Sequence, residues 1–319
     1  MFVTSDIQLI RKFVLIRYSL VVYCLLLTVN CLAATTPPLE EKDSTKTWSL
    51  GGITSVNFTQ MYLKNWSAGG QPSLSATSFI NLYANYKRNK TSWDNSLDIA
   101  YGLLKSGEAR FVKTDDKIDI TSKYGIRAFT AKGDSSSRIN NWYYSSLLNF
   151  KTQMDKGFNY PDDSTKISGF LAPAYILIAL GMDYKPNDAF TLLISPLTGK
   201  LTIVRDQNLA NAGAFGVEPG EKIRTEFGAS LKLMLKRNLM ENITFQTKID
   251  PLANYLDHPG NIDINWEVLI TMKVNKYISA NISASLIYDD DIDIVQENGN
   301  IGPATQFKEL FGIGLSYKF

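Results

Sequence analysis

Cysteine and histidine are nearly absent from this sequence. Its 319 residues include 2 cysteines, Cys24 and Cys31, and 1 histidine, His258. Both cysteines lie in an N-terminal segment that we interpret below as an export signal. We therefore expect neither disulfides nor cysteine-ligated metals in the mature chain. Hydrolases commonly use histidine as the base, and no serine stands in a G-x-S-x-G setting, so we predict that the protein is not an enzyme.

Two further patterns, clustered carboxylates and glycine-rich segments, could indicate catalysis or cofactor binding. Groups of carboxylates are candidates for acid-base hydrolysis: Asp115 with Asp116, Asp162 with Asp163, and Asp289, Asp290 and Asp291 with Asp293. The glycines of NWSAGG (65–70) and PLTGK (196–200) lack the spacing of a phosphate-binding loop. We therefore expect no cofactor.

The sequence also lacks an excess of either charge. The full chain has 33 Lys+Arg and 31 Asp+Glu, and removing Arg11, Lys12, Arg17 and Asp6 with the first 34 residues leaves 30 of each. A neutral chain has no basic excess with which to attract a polyanion. Nucleic acid is therefore not an expected partner.

Long apolar runs are missing as well. A helix that crosses a bilayer takes about 20 apolar residues. APAYILIALGM (172–182) is shorter and contains Pro173 and Gly181. YSLVVYCLLLTV (18–29) has 12 residues, follows Arg11, Lys12 and Arg17, and precedes Ala33 and Ala34. This pattern is typical of a cleaved secretory signal, so we predict a signal peptide over 1–34 and a short linker over 35–47.

What the chain has in abundance is strict alternation of apolar and polar residues. In the last ten residues, LFGIGLSYKF, one parity carries Phe311, Ile313, Leu315, Tyr317 and Phe319. The other parity carries glycine, serine and lysine, which is the period of a β-strand with one apolar face. A strand that ends on an aromatic residue resembles the signal read by the outer-membrane barrel assembly machinery. We therefore predict that these five residues are a barrel-assembly signal and that the machinery is a partner during insertion.

The same alternation recurs through the rest of the chain. Five clear examples are SLSATSFINLYANYK (73–87), SWDNSLDIAYGLL (92–104), IRTEFGASLKLMLK (223–236), NIDINWEVLITMKV (261–274) and YISANISASLIY (277–288). Each segment has the length and pattern of a strand that turns one face to lipid and the other to water. A soluble β-sandwich also alternates, so the connections must decide between the two folds.

Short and long connections alternate along the chain. The candidate short turns are KRNKT (87–91), KGDSSS (132–137), YKPND (184–188), KRNLM (236–240) and VNKY (274–277). Longer links lie between them, including 105–116, 155–166, 196–222, 251–261 and the acidic segment after Tyr288. This asymmetry is typical of an outer-membrane barrel with tight periplasmic turns and longer outer loops. We predict an all-β transmembrane antiparallel barrel of about 12 strands over 48–319, and we leave open whether 194–206 continues a strand or forms a separate hairpin.

Aromatic residues lie near the predicted strand ends. They are Trp48, Trp66, Trp93, Tyr101, Trp142, Tyr184, Tyr288, Tyr317 and Phe319. Such rings form girdles at the boundaries of the membrane in outer-membrane barrels. Ordinary core packing is the alternative interpretation.

Four segments resemble a known family. FTQMYLKNWSAGG (58–70), SWDNSLDIAYGL (92–103), ISPLTGKLTIV (194–204) and SLIYDDDI (285–292) are similar to an uncharacterised family of Bacteroidetes outer-membrane β-barrels, catalogued as a domain of unknown function. The resemblance extends from about residue 48 to the C-terminus. It implies the fold and an outer-membrane location but supplies no substrate or site residues.

The polar parity of the predicted strands collects charges of both signs. The candidate lumen-lining residues are Asp94, Asp98, Lys117, Asp119, Lys123, Arg127, Arg224, Glu226, Lys232, Asp263, Glu267 and Lys273. In a channel, these charges would line water and select the solute. In a closed barrel, acids and bases would pair across the interior and fill it. We expect a narrow passive channel for a small hydrophilic solute. The alternative is a non-conducting barrel whose outer loops engage lipopolysaccharide or a partner protein.

One acidic loop could bind a hard cation such as calcium. Its candidate ligands are Asp289, Asp290, Asp291 and Asp293, which offer several carboxylate oxygens. The loop lacks the spacing of an EF-hand, and solvated loop carboxylates are the alternative interpretation. Outer-membrane lipid, including lipopolysaccharide, is the expected surrounding of the barrel.

Overall fold

The computed structural model describes residues 47–63, 71–130, 138–296 and 300–319. The predicted signal peptide, nearly all of the predicted linker, Trp66 and the KGDSSS turn lie outside these residues. The described chain forms one compact unit that continues to Phe319. Among the described residues, no helix has the length and hydropathy of a membrane span.

The described chain consists almost entirely of β-strands. In chain order they are β1 (Trp48–Met61), β2 (Ser73–Arg88), β3 (Thr91–Ser106), β4 (Val112–Arg127), β5 (Trp142–Thr152), β6 (Gly157–Phe158), β7 (Lys166–Ser168), β8 (Ala174–Asn187), β9 (Phe190–Ile203), β10 (Ile223–Met240), β11 (Ile243–Asn254), β12 (Ile262–Lys273), β13 (Ile278–Tyr288), β14 (Asp293–Val295), β15 (Ile301–Pro303) and β16 (Gln306–Lys318). The helices are short: α1 (Gln207–Asn211) and two 3-10 turns, Arg138–Asn141 and Ala214–Gly216.

The long strands close into a single antiparallel barrel. Its order is β1-β16-β13-β12-β11-β10-β9-β8-β5-β4-β3-β2, which makes 12 strands. The prediction of an all-β barrel of about this size is therefore confirmed. β1 pairs with β16 from Ile53–Lys318 to Asn57–Gly314, and Gly52 and Phe319 exchange two backbone hydrogen bonds of 3.1 Å at the end of this seam. Closure leaves no free edge on the sheet.

The outer face of the barrel is apolar. The predicted assembly residues Phe311, Ile313, Leu315, Tyr317 and Phe319 are all exposed, with Leu315 at 66%. Large apolar side chains also project outward from neighbouring and distant strands, such as Val56 on β1 and Ile178 on β8. Apolar exposure on this scale is costly in water but suits a barrel surrounded by hydrocarbon. The barrel is therefore of the transmembrane type.

Aromatic pairs mark the end of the barrel that carries the termini. Trp48 packs against Tyr86 and Trp93 with ring centroids 5.1 and 5.9 Å apart. Trp142 and Tyr184 pair at 5.0 Å at the same end. These rings fit the girdle interpretation, because they lie on strand ends rather than in a central core.

Connection lengths follow the predicted alternation in the described chain. Near the termini the turns are short at 89–90, 188–189, 241–242 and 274–277. The KGDSSS turn predicted between β4 and β5 lies outside the described residues, and a 3-10 turn, Arg138–Asn141, directly precedes β5.

Three strand boundaries also differ from the predictions. β9 continues to Ile203, so the link predicted over 196–222 shrinks to 204–222, and 194–203 is continued strand. A register irregularity between β9 and β10 absorbs the local distortion around Pro196. β10 extends through KRNLM to Met240. β4 begins at Val112, which shortens the third connection to 107–111.

The opposite end of the barrel carries the longer loops. The β5–β8 loop holds the β6–β7 hairpin, and the β13–β16 loop holds the β14–β15 hairpin. Ala172 of the first loop packs with Val204, Leu209, Ala210 and Val217 of the β9–β10 loop. These two loops therefore share a small hydrophobic core of their own.

Candidate functional site

The candidate site is the lumen of the barrel. Alternation and register turn the same parity of every strand inward, so that Glu267 on β12 is level with Lys248 on β11 and Ser285 on β13. All twelve charged residues singled out from the sequence have inward-facing positions on their strands. Most of them are joined by ion pairs.

Two ion pairs of the described chain join strands that lie opposite each other across the lumen. In the strand order β4 lies opposite β12, and β3 lies opposite β11. Lys117 Nζ on β4 is 2.7 Å from Glu267 Oε1 on β12. Lys248 Nζ on β11 is 2.9 Å from Asp98 Oδ2 on β3. We call these four residues the central lattice.

Further polar groups extend the central lattice along the wall. Asp119 lies 3.6 Å from both Lys117 and Lys151, and the Asn149 amide donates a hydrogen bond of 2.6 Å to Asp119. Asn81 donates to Asp98 from the neighbouring strand β2. Acids and bases thus alternate, and each charge has a partner of opposite sign.

Water reaches the central lattice. The side chains of Lys117 and Glu267 are 30% and 27% exposed, and those of Lys248 and Asp98 are 22% and 21% exposed. These values are far above those of a sealed protein core. The lattice therefore crosses the lumen without filling it at this level.

The lumen on one side of the lattice is densely filled. Inward from β5, β8 and β9, the apolar side chains of Leu147, Ala179 and Leu193 form a buried cluster. Nearby, Lys123 pairs with Asp183 at 2.6 Å. These side chains leave little free space. We call this part of the lumen wall, which runs from β3 through β4, β5, β8, β9, β10 and β11 to β12, the charged sector.

Two more ion pairs complete the charged sector. Lys185 Nζ lies 2.7 Å from Asp94. Lys232 Nζ lies 2.7 Å from Asp250 on the adjacent strand. Lys232 and Asp250 lie on adjacent strands, and Lys185 on β8 lies three strands from Asp94 on β3. Neither pair crosses the full width of the lumen, as the two pairs of the central lattice do.

The lumen on the other side of the lattice is lined differently. Small uncharged residues face inward from β13, β16, β1 and β2. They are Ser279, Asn281, Ser283, Ser285, Gly312, Gly314, Ser316, Ser55, Asn57 and Thr77. We call this set the neutral sector. Six of them, Ser279, Asn281, Gly312, Ser55, Asn57 and Thr77, are buried. Lys308 also faces inward from β16, level with Ser285.

A cluster of carboxylates lies at the loop end of the charged sector. Lys200 Nζ is 3.1 Å from Glu226, 3.4 Å from Asp263 and 3.8 Å from Asp289. Arg224 pairs with Asp291 and lies 3.3 Å from Glu226. Glu226 is 1% exposed. Two cations therefore hold four carboxylates together.

The predicted cation ligands separate into two groups. One carboxylate oxygen each from Asp263, Asp289 and Asp291 lies within 4.8 Å of the others. Asp290 instead accepts hydrogen bonds from Asn261 and from Tyr288, the latter at 2.7 Å. Asp293 lies in β14, away from this trio. The position of Lys200 among the trio supplies a positive charge within the protein itself.

Two predicted lumen residues have no ion pair within the described chain. Arg127 stacks over the ring of Tyr143 with 6.0 Å from its Cζ to the ring centroid. Lys273 lies at the terminus end of β12, level with Ser279. Both cations stand near the mouth formed by the short turns.

The sequence reasoning missed several charged residues of the lumen. Among them are Lys151, Asp183, Lys185, Lys200, Lys248, Asp250 and Lys308. Lys248 and Asp250 alternate with Thr247 and Ile249 in β11, so the same parity rule could have found them. Lys200 was assigned to a long link, which hid its place on a strand.

The residues considered for catalysis contact neighbouring charged or polar side chains. The side chain of His258 is 78% exposed on the 255–261 loop, with its Nδ1 2.5 Å from Asp257 Oδ1. Asp115 pairs with Lys308, and Asp116 pairs with Lys113.

Asp162 and Asp163, the remaining adjacent pair, also have polar partners. Hydrogen bonds from Ser164 and Thr165 lower the pKa of Asp162 to about 2, so this carboxylate remains ionised at neutral pH. Asp163 pairs with Arg110 at 3.2 Å. These contacts do not favour either carboxylate as the proton donor of a hydrolytic reaction.

Residues 58–158 match a family model described as a protein of unknown function, DUF3078. This match confirms the resemblance to an uncharacterised family over those residues. No curated protein matches the chain by sequence.

Several solved barrels are similar in structure. An outer-membrane channel from Pseudomonas putida F1 has 10% identity and a TM-score of 0.38, and the match covers 89% of this chain and 100% of that one. The NanC porin has 9% identity and a TM-score of 0.36, with 85% and 100% covered. The translocator domain of the autotransporter NalP from Neisseria meningitidis has 11% identity and a TM-score of 0.35, with 88% and 91% covered. The architecture of this protein is established by its own strand order.

Proposed function

We propose that this protein is an outer-membrane channel with a narrow lumen for small hydrophilic solutes. The apolar outer wall requires hydrocarbon around the barrel, and the polar inner wall requires water within it. The central lattice divides the lumen but remains accessible to water. Passage occurs beside it.

The observation that carries this proposal is the partial exposure of the central lattice. The side chains of Lys117 and Glu267 are 30% and 27% exposed, and those of Lys248 and Asp98 are 22% and 21% exposed. Water therefore reaches the ion pairs that cross the lumen, while Leu147, Ala179 and Leu193 are buried to one side of them.

Planar-bilayer recording tests the proposal. The wild-type protein should give small, discrete conductance steps. The double variant Lys117→Ala/Glu267→Ala removes one cross-lumen pair without leaving a buried charge unpaired, so its steps should be larger. Lys232→Ala/Asp250→Ala is the matched control, because it removes a pair that joins adjacent strands and should leave the conductance near that of the wild type.

A second function is favoured by the same two ion pairs. If the central lattice and the filled charged sector stop all flow, the protein is a non-conducting barrel whose long loops engage lipopolysaccharide or a partner protein. In that case the wild type gives no steps, while Lys117→Ala/Glu267→Ala opens a path. An absence of steps from both proteins would contradict the channel proposal.

A further inference from the structure

We propose that the first residues after β13 form a strap that opens and closes over the outer mouth, the mouth at the end of the barrel that carries the longer loops. The strap is residues 289–292, which directly follow Tyr288. β13 has β12 on one side and β16 on the other, so a direct connection would turn toward β16. The strap instead contacts residues on the β12 side. This inference goes beyond the proposed channel, because it concerns one mouth and holds whether or not the barrel conducts.

Two charged contacts carry the strap across the outer mouth. Asp291 pairs with Arg224 at the start of β10, and Asp289 Oδ2 lies 3.8 Å from Lys200 Nζ on β9. In the barrel order, β10 and β9 are three and four strands away from β13. The strap therefore reaches over the mouth of the charged sector instead of following the rim to β16.

The base of the strap is held separately. Asp290 accepts a hydrogen bond of 2.7 Å from the Tyr288 hydroxyl group and another from the Asn261 amide. Asn261 directly precedes β12, the neighbour of β13, so both partners lie beside the root of the strap. These hydrogen bonds provide a pivot, while the pair between Asp291 and Arg224 acts as the latch.

The cations that receive the strap keep a partner on the barrel wall. Arg224 Nη2 lies 3.3 Å from Glu226 Oε1, and Lys200 Nζ lies 3.1 Å from Glu226 Oε2. Gly216 of the β9–β10 loop also packs against Arg224, since a Cβ at Gly216 would overlap the guanidinium group. Opening of the strap therefore leaves neither cation without a negative partner, which would otherwise be costly at a buried position.

Repulsion between carboxylates opposes the closed position. One oxygen each from Asp263, Asp289 and Asp291 lies within 4.8 Å of the others. Together with Glu226 they place four negative charges beside two cations. When the strap opens, Asp289 and Asp291 leave, and two negative charges remain beside the two cations. Attraction to the cations and repulsion from Asp263 thus act against each other, as expected of a segment poised between two positions.

Ser230 provides a position beneath the strap at which opening can be measured. It faces inward on β10, level with Ser195 on β9. The next inward residue toward the termini is Lys232, which is level with Leu193 of the buried apolar cluster. Because that cluster fills the charged sector on the terminus side, the outer mouth is the direct approach to Ser230.

Cysteine labelling tests whether the strap opens. The parent is Ser230→Cys, and the rate of its reaction with N-ethylmaleimide is measured on folded barrels, which the heat-dependent gel shift identifies. Asp291→Asn in this parent removes the latch, so we expect labelling to be at least about fivefold faster. Asp293→Asn is the matched control, because it removes the same charge from β14, outside the strap, and should leave the parent rate unchanged.

A second variant should move the balance in the opposite direction. Asp263→Asn removes one of the repelling carboxylates, while Lys200 keeps its contact with Glu226. Labelling of Ser230→Cys should therefore become slower than in the parent. If the carboxylates served only to hold the mouth together, both Asp263→Asn and Asp291→Asn would loosen it and speed the reaction.

Two results would overturn the strap. One is an equal labelling rate in the parent and in Asp291→Asn, and the other is faster labelling in both Asp291→Asn and Asp263→Asn. Labelling requires no ion flow through the barrel. Failure of the strap therefore leaves the channel proposal in place, and an absence of conductance steps contradicts the channel without affecting the strap.

Discussion

Lys117 and Glu267 form an ion pair with 2.7 Å between Nζ and Oε1, although their strands stand on opposite sides of the barrel. Such a contact joins the two walls directly. The pair beside it, Lys248 with Asp98, does the same at 2.9 Å. Together they brace the barrel and separate the charged sector from the neutral sector.

Removing one charge of the Lys117–Glu267 pair should destabilise the barrel. Glu267→Gln leaves Lys117 near the centre of the lumen with less compensation, and we expect a loss of about 1–3 kcal/mol in the free energy of unfolding. Urea unfolding in lipid vesicles measures this change in the free energy of unfolding. Glu309→Gln on exposed β16 is the control and should change stability by less than about 0.5 kcal/mol.

Removing both partners provides a second check on that pair. Lys117→Gln/Glu267→Gln leaves neither charge without its partner, so it should recover part of the stability lost in Glu267→Gln. If the double variant is no more stable than Glu267→Gln, the loss in Glu267→Gln does not come from an unpaired Lys117.

Gly314 should be required for closure of the barrel. A Cβ at this position would overlap the backbone of β1 at Val56 and Asn57. We therefore expect Gly314→Ala to cost about 1–3 kcal/mol, and the heat-dependent gel shift of the folded barrel should appear at a lower temperature. Gly199→Ala is the matched control, because nothing lies within 4 Å of the position that its Cβ would take. Equal stability of the two variants would contradict close packing at the seam.

The start of α1 should loosen in acid. Asp206 accepts hydrogen bonds from the backbone N–H groups of Asn208 and Leu209, and Lys166 Nζ lies 2.6 Å away. The hydrogen bond from Lys166 is the main cause that lowers the pKa of Asp206. Because the folded pKa lies below the unfolded value of about 3.9, the stabilisation is complete above that pH and disappears as pH falls through the folded pKa.

Hydrogen exchange of the β9–β10 loop measures this effect. Protection of residues 207–212 should fall as the pH drops below about 4, after correction for the intrinsic exchange rate. Asp206→Asn keeps a capping acceptor but loses the ionisable group, so its protection should be insensitive to pH in this range. The same acid response in Asp206→Asn would assign it to another group.

Asn57 should tolerate replacement by an apolar side chain. Replacing an unpaired buried amide with an apolar group of similar size removes a desolvation penalty, so Asn57→Leu should raise the free energy of unfolding by about 1–3 kcal/mol. Urea unfolding in lipid vesicles measures the change. A variant less stable than the wild type would contradict the lack of a hydrogen-bond partner for this amide among the described residues.

Much of the fold could be predicted from residue parity. The alternation of Phe311 through Phe319 and of 262–274 established strands with one apolar face, and the structure turns those faces outward. Parity also placed Lys117 and Glu267 inside. The errors fell where parity is interrupted, as at Pro196, or where a turn-like composition such as KRNLM continues a strand.

The division of the lumen could not be predicted in this way. Leu147, Ala179 and Leu193 face inward although they are apolar, so their alternation gives no polar signal. Contact between Lys117 and Glu267 depends on the barrel's strand count and on the level of each residue, neither of which is encoded in a local pattern. Asn57 likewise looks like any polar lumen residue until its surroundings in the described chain are seen in three dimensions.

Cysteine accessibility combined with conductance tests the central claim most directly. The chain has no cysteine after Cys31, so single cysteines can be introduced at Ser283, which faces the lumen, and at Ala284, which faces the outside of the same strand. If current passes through the lumen, a bulky neutral thiol reagent should block current through Ser283→Cys and leave Ala284→Cys unchanged. Block at Ala284→Cys with no effect at Ser283→Cys would contradict the account.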